Sequence, residues 1–276
     1  MTFRVVQISD THLSAARPFF VRNFDRCCDA LARERPDLVV NTGDISLDGA
    51  SREADLREAR RLHDRIGLGV RFIPGNHDIG DNADVPKGHG GAITEERRAR
   101  YREHFGPEWW RLDVPGWRIV GVNAQLFASD LPGAGEQLAF IREAAMGARE
   151  RRIALFIHKP LFDQHAREDV FGGRFLNPPS RRALLDAFGP SPPALVASGH
   201  VHQYRSTAVE GTGHVWAPST AYVMPDARQP RYGLKEVGFA VHDLFEDGTH
   251  QSRFAAGAGS ENLDITDFPG AYGPEG

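Results

Sequence analysis

The chain has 276 residues, of which 41% are hydrophobic and 25% charged, a composition typical of a folded globular protein rather than a disordered one. Its 33 basic and 37 acidic side chains give a formal charge of −4, which argues against a broad basic surface for a nucleic-acid polymer. No apolar run approaches the roughly 18 residues of a membrane helix and no signal-like segment begins the chain, so we expect a cytoplasmic protein with no membrane partner.

The first part of the chain alternates predicted strands and helices. Short Val-rich runs at 3–8, 37–42 and 70–73 predict buried strands, and apolar residues at helical spacing predict helices over 24–34 and 52–66. A strand, helix, strand order predicts a parallel sheet, because parallel neighbours need a long crossover connection. The adjacent Cys27 and Cys28 fall in the first helix, where their side chains diverge, so we expect buried thiols and no disulfide.

The rest of the chain divides into two predicted parts. The alternating pattern continues first, with a hairpin at 109–114 and 117–122, helices over 135–148 and 180–188, and strands at 152–157 and 194–198. Strand-length runs separated by Gly-containing turns then predict a second, antiparallel sheet from 206–210, 214–217, 237–244 and 250–254. The stretches 80–92 and 159–177 fit neither pattern and are expected to be functional loops.

Each predicted strand of the alternating part ends in residue types that can bind a metal. These residues are Asp10-Thr11-His12, Gly43-Asp44, Gly75-Asn76-His77-Asp78, His158 and Gly199-His200-Val201-His202. In open α/β sheets the sites form at the carboxyl ends of the strands. Taken singly, an Asp-x-His or a Gly-Asp is a weak signal, but the ordered set predicts that five segments meet at one edge.

The residue types fit a site for two metal ions. Residues two apart on an extended segment point the same way, so Asp10 with His12, and His200 with His202, can each aim two donors at one point. A single carboxylate, Asp44, can bridge two cations, and Asn76 adds a neutral oxygen. This mixed nitrogen and oxygen set suits Mn, Fe, Co or Zn, and the lack of a thiolate in it argues against a zinc finger.

The ordered pattern D-x-H, G-D, G-N-H-D, H and G-H-x-H resembles that of the calcineurin-like metallophosphoesterases over about residues 3 to 245, and is nearest to the bacterial cyclic-nucleotide and glycerophosphodiester phosphodiesterases. The resemblance implies an α/β (α+β) fold, a four-layer αββα sandwich of two mixed β-sheets flanked by helices. Residues 1–255 would then form a single metallophosphoesterase domain. Residues 256–276, with little apolar periodicity, are expected to be a loosely ordered C-terminal extension.

The resemblance also implies roles for the motif residues. The ligands of the first metal would be Asp10, His12, Asp44 and His202, and those of the second would be Asp44, Asn76, His158 and His200. His77 would be a catalytic histidine that stabilises the transition state or protonates the leaving oxygen without binding metal. Asp78 would orient His77 or its loop, and an ordinary turn residue is an equal alternative for it.

The candidate substrate contacts lie in the loop that follows His158, and the segment from 222 to 232 is also expected to affect specificity. Many members of the family have a second His at the next position, where this chain has Lys159, which could either meet a phosphate charge or be a solvated lysine. Arg174, Phe175 and Asn177 could contact the ester or pack on the adjacent helix. His89, in the Gly-rich stretch, could be a lid residue or a solvated histidine.

The expected function is hydrolysis of small phosphodiesters, of the cyclic-nucleotide or glycerophosphodiester type, by a metal-bridging hydroxide. The expected cofactors are two divalent or trivalent metal ions (Mn, Fe, Zn or Co), and the expected partner is a small phosphoester substrate. A phosphomonoesterase of the same fold is the main alternative, and a nuclease or a non-catalytic metal-binding protein are the others. A homo-oligomer is left open.

Overall fold

A computed structural model describes residues 1–85, 90–169 and 172–271. Five strands form a first sheet in the order β11-β10-β1-β2-β3. The parallel core of this sheet is β1 with β2 and β3, and β10 and β11 extend it antiparallel to β1. The strands are β1 (Thr2–Ile8), β2 (Leu38–Asn41), β3 (Val70–Phe72), β10 (Phe239–Phe245) and β11 (His250–Ala255).

Six strands form a second sheet in the order β4-β5-β6-β7-β9-β8. Its four central strands, β5, β6, β7 and β9, are parallel, and the antiparallel strands β4 and β8 lie at its two edges. The strands are β4 (Trp110–Val114), β5 (Trp117–Val122), β6 (Arg152–Ile157), β7 (Leu195–Ser198), β8 (Arg205–Val209) and β9 (Thr212–Trp216).

Helices cover the outer face of each sheet. The helices are α1 (Val21–Glu34), α2 (Glu53–His63), α3 (Asn76–Ile79), α4 (Glu95–Phe105), α5 (Pro132–Met146) and α6 (Pro178–Phe188). Apolar residues of α1, α2 and α4 pack with the first sheet, and those of α5 and α6 pack with the second. A third apolar cluster joins the inner faces of the two sheets, which gives the four layers αββα that the resemblance implied.

The alternation of side chains along β6 shows how one strand serves two layers. Ala154 and Phe156 point into the core between the sheets, whereas Ile153, Leu155 and Ile157 point toward the helices. Successive side chains of a strand lie on opposite faces, so a strand buried on both faces needs the continuous apolar run seen here.

The prediction of a separate antiparallel sheet near the C-terminus was wrong. The strands β8 and β9 complete the second sheet, where β9 runs parallel to β7, and β10 and β11 complete the first sheet. Apolar periodicity identifies strands but not their partners, because β10 pairs with a strand more than 200 residues away in the sequence. Helix α4 was not predicted, since it is strongly polar and buries Arg98 through an ion pair with Glu108.

Of the predicted C-terminal extension, 256–276, the structure describes residues 256–271, which contact the domain, and residues 272–276 lie outside the described residues. The side chain of Asn23 donates to the carbonyl of Glu261 and accepts from its amide. Ile265 and Ala271 are buried, and Ile265 begins a short 3-10 helix.

Cys27 and Cys28 are both free thiols, and Cys27 is buried as expected, whereas Cys28 is only half-buried. None of the helices in the described ranges is long and apolar enough to cross a membrane.

Candidate metal centre

The predicted motif residues lie in the turns after five strands of the two sheets. Asp10 and His12 follow β1, Asp44 follows β2, Asn76 and His77 begin α3 after β3, His158 follows β6, and His200 and His202 follow β7. Backbone hydrogen bonds tie the first two turns together, from the amide of Asp10 to the carbonyl of Gly43 (2.9 Å) and from that of His12 to Asp44 (3.0 Å). The turns therefore form one unit at the carboxyl ends of the strands.

The backbone of the site is strained. Left-handed conformations, with φ between 43° and 67°, occur at Asp10, His12, Asp44, His200 and His202. Such conformations are uncommon for residues with a Cβ and persist where the surrounding structure determines them. The paired donors therefore converge from tight turns and not, as the sequence spacing predicted, from extended segments.

Two glycines of the motifs allow the turns to approach one another. A Cβ at Gly75 would overlap the backbone and carboxylate of Asp44, and a Cβ at Gly199 would overlap the side chain of Ser9 and crowd the carboxylate of Asp10. The glycines in G-N-H-D and G-H-x-H therefore serve close packing between turns.

The first cluster consists of Asp10, His12 and His202, whose ligand atoms lie close enough together to hold a metal ion. Nε2 of His202 lies 3.2 Å from Oδ1 of Asp10 and 3.2 Å from Nε2 of His12. Among the described residues Oδ1 of Asp10 has no hydrogen-bond partner although it is buried. A buried carboxylate oxygen facing two imidazole nitrogens is a donor set that fits a cation.

The second cluster consists of Asp44, His158 and His200. Nε2 of His158 lies 3.4 Å from Oδ2 of Asp44, 3.1 Å from Nδ1 of His200 and 3.2 Å from the amide oxygen of Asn76. Nδ1 of His158 donates to the carbonyl of Thr42 (2.8 Å), which leaves Nε2 with a lone pair for a ligand.

Asp44 lies between the two clusters. Its Oδ2 is 3.4 Å from Nε2 of His158 and 3.9 Å from Nε2 of both His12 and His77. Burial alone would raise the pKa of Asp44, but the charges of His158 and His77 hold it well below its usual range. Burial would lower the pKa of His158, and Asp44 raises it to about 9. A buried carboxylate among imidazoles thus attracts positive charge, and either a metal ion or a proton can supply it.

His77 lies beside Asp44 with its ring in a fixed orientation. Its amide donates to Oδ1 of Asp44 (2.8 Å), and its Nδ1 donates to the carbonyl of Leu47 (2.9 Å). Nε2 therefore faces the site. His12, Asp44 and His77 form a third group compatible with metal binding.

Asp78 is fully buried and holds the turn after β2 to the turn after β3. Its carboxylate accepts from the amides of Ile45 (3.2 Å), Ser46 (2.8 Å) and Gly75 (2.9 Å) and from the Ser46 hydroxyl (2.6 Å). Burial and the charge of Asp44 raise the pKa of Asp78 to about 6, against the opposing effect of these hydrogen bonds. It contacts the loop that carries His77 and not the ring of His77.

Lys159 is fully buried, and its Nζ lies 2.5 Å from Oδ1 of Asp81, which is also buried. The backbone of Asp81 pairs with Gly91 and Ile93 in the stretch that follows α3. The structure thus supports neither a solvated lysine nor one that is open to substrate. The ammonium group instead links the end of β6 to the loop after His77.

The other three candidate substrate contacts are mostly engaged in packing or capping. Phe175 is buried against Trp216 and Tyr232, with ring centroids 5.8 and 6.0 Å away. Asn177 caps α6 by accepting from Ser180 (2.6 Å) and donates to Asp84. The guanidinium of Arg174 donates to the carbonyl of Arg228 (3.3 Å). His89 lies outside the described residues.

Sequence reasoning did not assign Tyr222 to the site. Its hydroxyl oxygen lies 3.5 Å from Nε2 of His12, and its ring centroid is 4.5 Å from that of His202. The segment from 222 to 232 was expected to affect specificity, but no motif distinguished this tyrosine from its neighbours. Only the fold brings it to the first cluster.

Residues 3–204 match the family model described as calcineurin-like phosphoesterase. The 3',5'-cyclic adenosine monophosphate phosphodiesterase CpdA of Pseudomonas aeruginosa is 32% identical over 217 residues, covering 72% of this chain and 69% of that protein. The probable glycerophosphodiester phosphodiesterase GpdQ of Arcobacter nitrofigilis is 26% identical over 226 residues, covering 74% and 73%.

Solved structures share the fold at low sequence identity. The purple acid phosphatase PPD1 of yellow lupin (Lupinus luteus) superposes with a TM-score of 0.69 at 16% identity, covering 96% of this chain and 53% of that one. A dimetal phosphatase of Danio rerio superposes with a TM-score of 0.61 at 16% identity, covering 92% and 96%. At this identity the likeness concerns the architecture alone.

Proposed function

The chain belongs to the calcineurin-like phosphoesterase family, and from this premise we propose that it hydrolyses small phosphodiesters with two metal ions bound at the clusters described above. Family membership and the two phosphodiesterase relatives make the chain a hydrolase of phosphoester bonds. The proposal adds the number of metal ions, their ligands and the class of ester.

The position of Asp44 carries this proposal. One oxygen of its carboxylate lies within 4 Å of a histidine from each cluster, so a single anion can neutralise part of the repulsion between two cations. The ligands of the first cation would be Asp10, His12, Asp44 and His202. The ligands of the second cation would be Asp44, Asn76, His158 and His200.

The metal ions would supply a water of lowered pKa and would polarise the phosphoryl oxygens. The protein holds the ligands around them, and Asp78 fixes the two turns that carry Asp44 and Asn76. His77 is proposed to act without binding metal. Its Nδ1 donates to the carbonyl of Leu47, which directs Nε2 toward the site, where Nε2 would donate to a phosphoryl oxygen or to the leaving oxygen of the ester.

A small diester is the proposed substrate because both curated relatives are named for diesters, one a cyclic nucleotide and one a glycerophosphodiester. Lys159 is not included among the proposed substrate contacts, because its side chain is buried in an ion pair with Asp81. Arg174, which is half-buried, is kept as a candidate contact for the ester.

The proposal is tested with protein stripped of metal and reloaded with Mn(II), Fe(II), Co(II) or Zn(II). Each sample is assayed on bis(p-nitrophenyl) phosphate, p-nitrophenyl phosphate, cyclic AMP and a glycerophosphodiester. We expect metal-dependent cleavage that is faster for diesters than for the monoester. A preference for the monoester would overturn the diester assignment in favour of a phosphatase, and inactivity on all four with two metals bound would contradict the proposed substrate class.

Replacement of His77 separates its two possible roles. We expect His77→Ala to retain both metal ions and to lower kcat by about 10²–10⁴-fold, the range associated with a positioned proton donor or acceptor. Metal content measured by emission spectroscopy is compared with that of Asn76→Ala, which should lose one ion. Loss of an ion from the His77 variant would show that His77 is a ligand.

A further inference from the structure

The segment from Tyr222 to Ala271 lies outside the residues that match the family model, yet it reaches the first cluster. Tyr222 is buried, and its ring centroid lies 4.5 Å from that of His202 and 5.1 Å from that of His12. Its hydroxyl oxygen faces Nε2 of His12 at 3.5 Å. The tyrosine thus contacts both histidines proposed as ligands of the first cation.

The two clusters differ in how their histidines are oriented. Nδ1 of His158 donates to a backbone carbonyl, which is the usual way in which a ligand histidine is fixed. Nδ1 of His202 is buried and has no hydrogen-bond partner in the part of the chain that the structure describes. On the Nδ1 side no hydrogen bond within the described residues fixes this ring, so packing by Tyr222 is a contact that limits its rotation.

Tyr222 is itself held by an apolar cluster, named here the Tyr222 cluster. Its ring centroid lies 4.9 Å from that of Phe20, and Phe20 packs in turn on Phe268 at 5.6 Å. The buried members of this cluster are Phe20, Leu47, Ala221, Tyr222, Ile265 and Ala271, and Met224, Leu263 and Phe268 pack against it. Residues 263–271 thus form one side of the cluster.

Hydrogen bonds hold the segment around Tyr222 on both sides. The Ser219 hydroxyl donates to the carbonyl of Asp10 (2.8 Å) and accepts from the amides of Ala221 (2.9 Å) and Tyr222 (3.3 Å). The amide of Val223 donates to the carbonyl of Leu263 (2.9 Å). Tyr222 is therefore tied to the turn that carries the first cluster and to the C-terminal segment.

We propose that Tyr222 is a positioning residue for the first cation, and that residues 263–271 hold it in place. Its ring keeps the imidazoles of His12 and His202 oriented so that their Nε2 atoms converge. This inference rests on the proposed function, because it assumes that these histidines bind metal. The role belongs to the aromatic ring, so phenylalanine should replace tyrosine and alanine should not.

The test is a calorimetric titration of metal-free protein with Mn(II) or Zn(II). All variants are made in an Asn76→Ala background, which keeps the first cluster intact. We expect Tyr222→Ala to weaken binding of the remaining cation by about 10–100-fold, the usual effect of losing a residue that orients a ligand. Tyr222→Phe should bind as the parent does. Phe268→Ala should also weaken binding, but by a smaller factor than Tyr222→Ala.

Leu184→Ala is the matched control. Leu184 is fully buried in α6 on the far side of the second sheet, so its truncation lowers stability without contacting the Tyr222 cluster. We expect this variant to bind the cation with the parent's affinity. Failure of the parent to bind any cation would contradict the proposed function. Binding by the parent and equal binding by Tyr222→Ala would overturn the positioning role alone, as would equal weakening by Leu184→Ala.

Discussion

The two clusters of the candidate metal centre are supported by different kinds of interaction. Behind the second cluster, His158 is held by a hydrogen bond to Thr42, and the next residue, Lys159, forms a buried ion pair with Asp81. Behind the first cluster, the ring of His202 is packed on Tyr222, and Tyr222 packs in turn in an apolar cluster with the C-terminal segment. One side is supported by charge and hydrogen bonds, and the other by apolar packing.

The difference determines which changes each cluster tolerates. A buried ion pair depends on both partners, since removal of one leaves an uncompensated charge away from water. Apolar packing depends on volume and shape, so it tolerates replacement by a side chain of similar size. We therefore expect the second cluster to be sensitive to loss of charge at Lys159, and the first to loss of volume at Tyr222.

Asp44→Ala should have the largest effect, because Asp44 is the residue that the two clusters share. We expect it to weaken binding of both metal ions and to reduce hydrolysis to background, whatever supports each cluster. Metal content and turnover are measured together. The comparison variant is Asp78→Asn, because Asp78 is a buried carboxylate of the same turns whose described hydrogen bonds all come from protein groups. Retention of two tightly bound ions would contradict the shared role.

Lys159→Met should have the next largest effect. It leaves the carboxylate of Asp81 buried without its cationic partner, which costs about 3–5 kcal/mol of folding stability. The free energy of unfolding of metal-free protein in urea measures this cost. Because the pair links β6 to the loop after His77, we also expect Lys159→Met to reduce metal affinity more at the second cluster than at the first.

The double variant Lys159→Met with Asp81→Leu tests whether the charge is the cause. We expect it to recover part of the stability lost in Lys159→Met, because no unpaired charge remains buried. The recovery should be partial, since Asp81 also accepts from the amide of Asn82. A double variant less stable than Lys159→Met would contradict the assignment.

The parts of the site that the sequence predicted are those encoded by short local patterns. Gly75 and Gly199 are required where two turns approach each other. The candidate metal ligands of these motifs follow each glycine within three positions of the chain. Their order along alternating strands predicted the shared edge, because parallel strands bring their carboxyl ends together. The four layers followed from the resemblance, and the structure confirmed them.

The supporting residues could not be predicted because they depend on contacts distant in the sequence. The partner of Lys159 is 78 positions away, and nothing in the residues around Lys159 indicated that it would be buried. Tyr222 reaches His12 across 210 positions. The composition of residues 256–276 predicted a loose extension and gave no sign of the contact that Ile265 makes with the Tyr222 cluster.

Ile265→Val should have the smallest effect and tests the comparison most finely. It removes one methylene from the Tyr222 cluster, which costs about 0.5–1.5 kcal/mol of folding stability in a packed core. We expect the affinity for both metal ions to be unchanged, because the ring of Tyr222 still lies between Phe20 and His202. Urea unfolding and metal titration of the same samples separate the two quantities. A loss of metal affinity as large as that of Tyr222→Ala would mean that the first cluster does not tolerate replacement by a side chain of similar size, and would contradict the proposed difference between packing and charge.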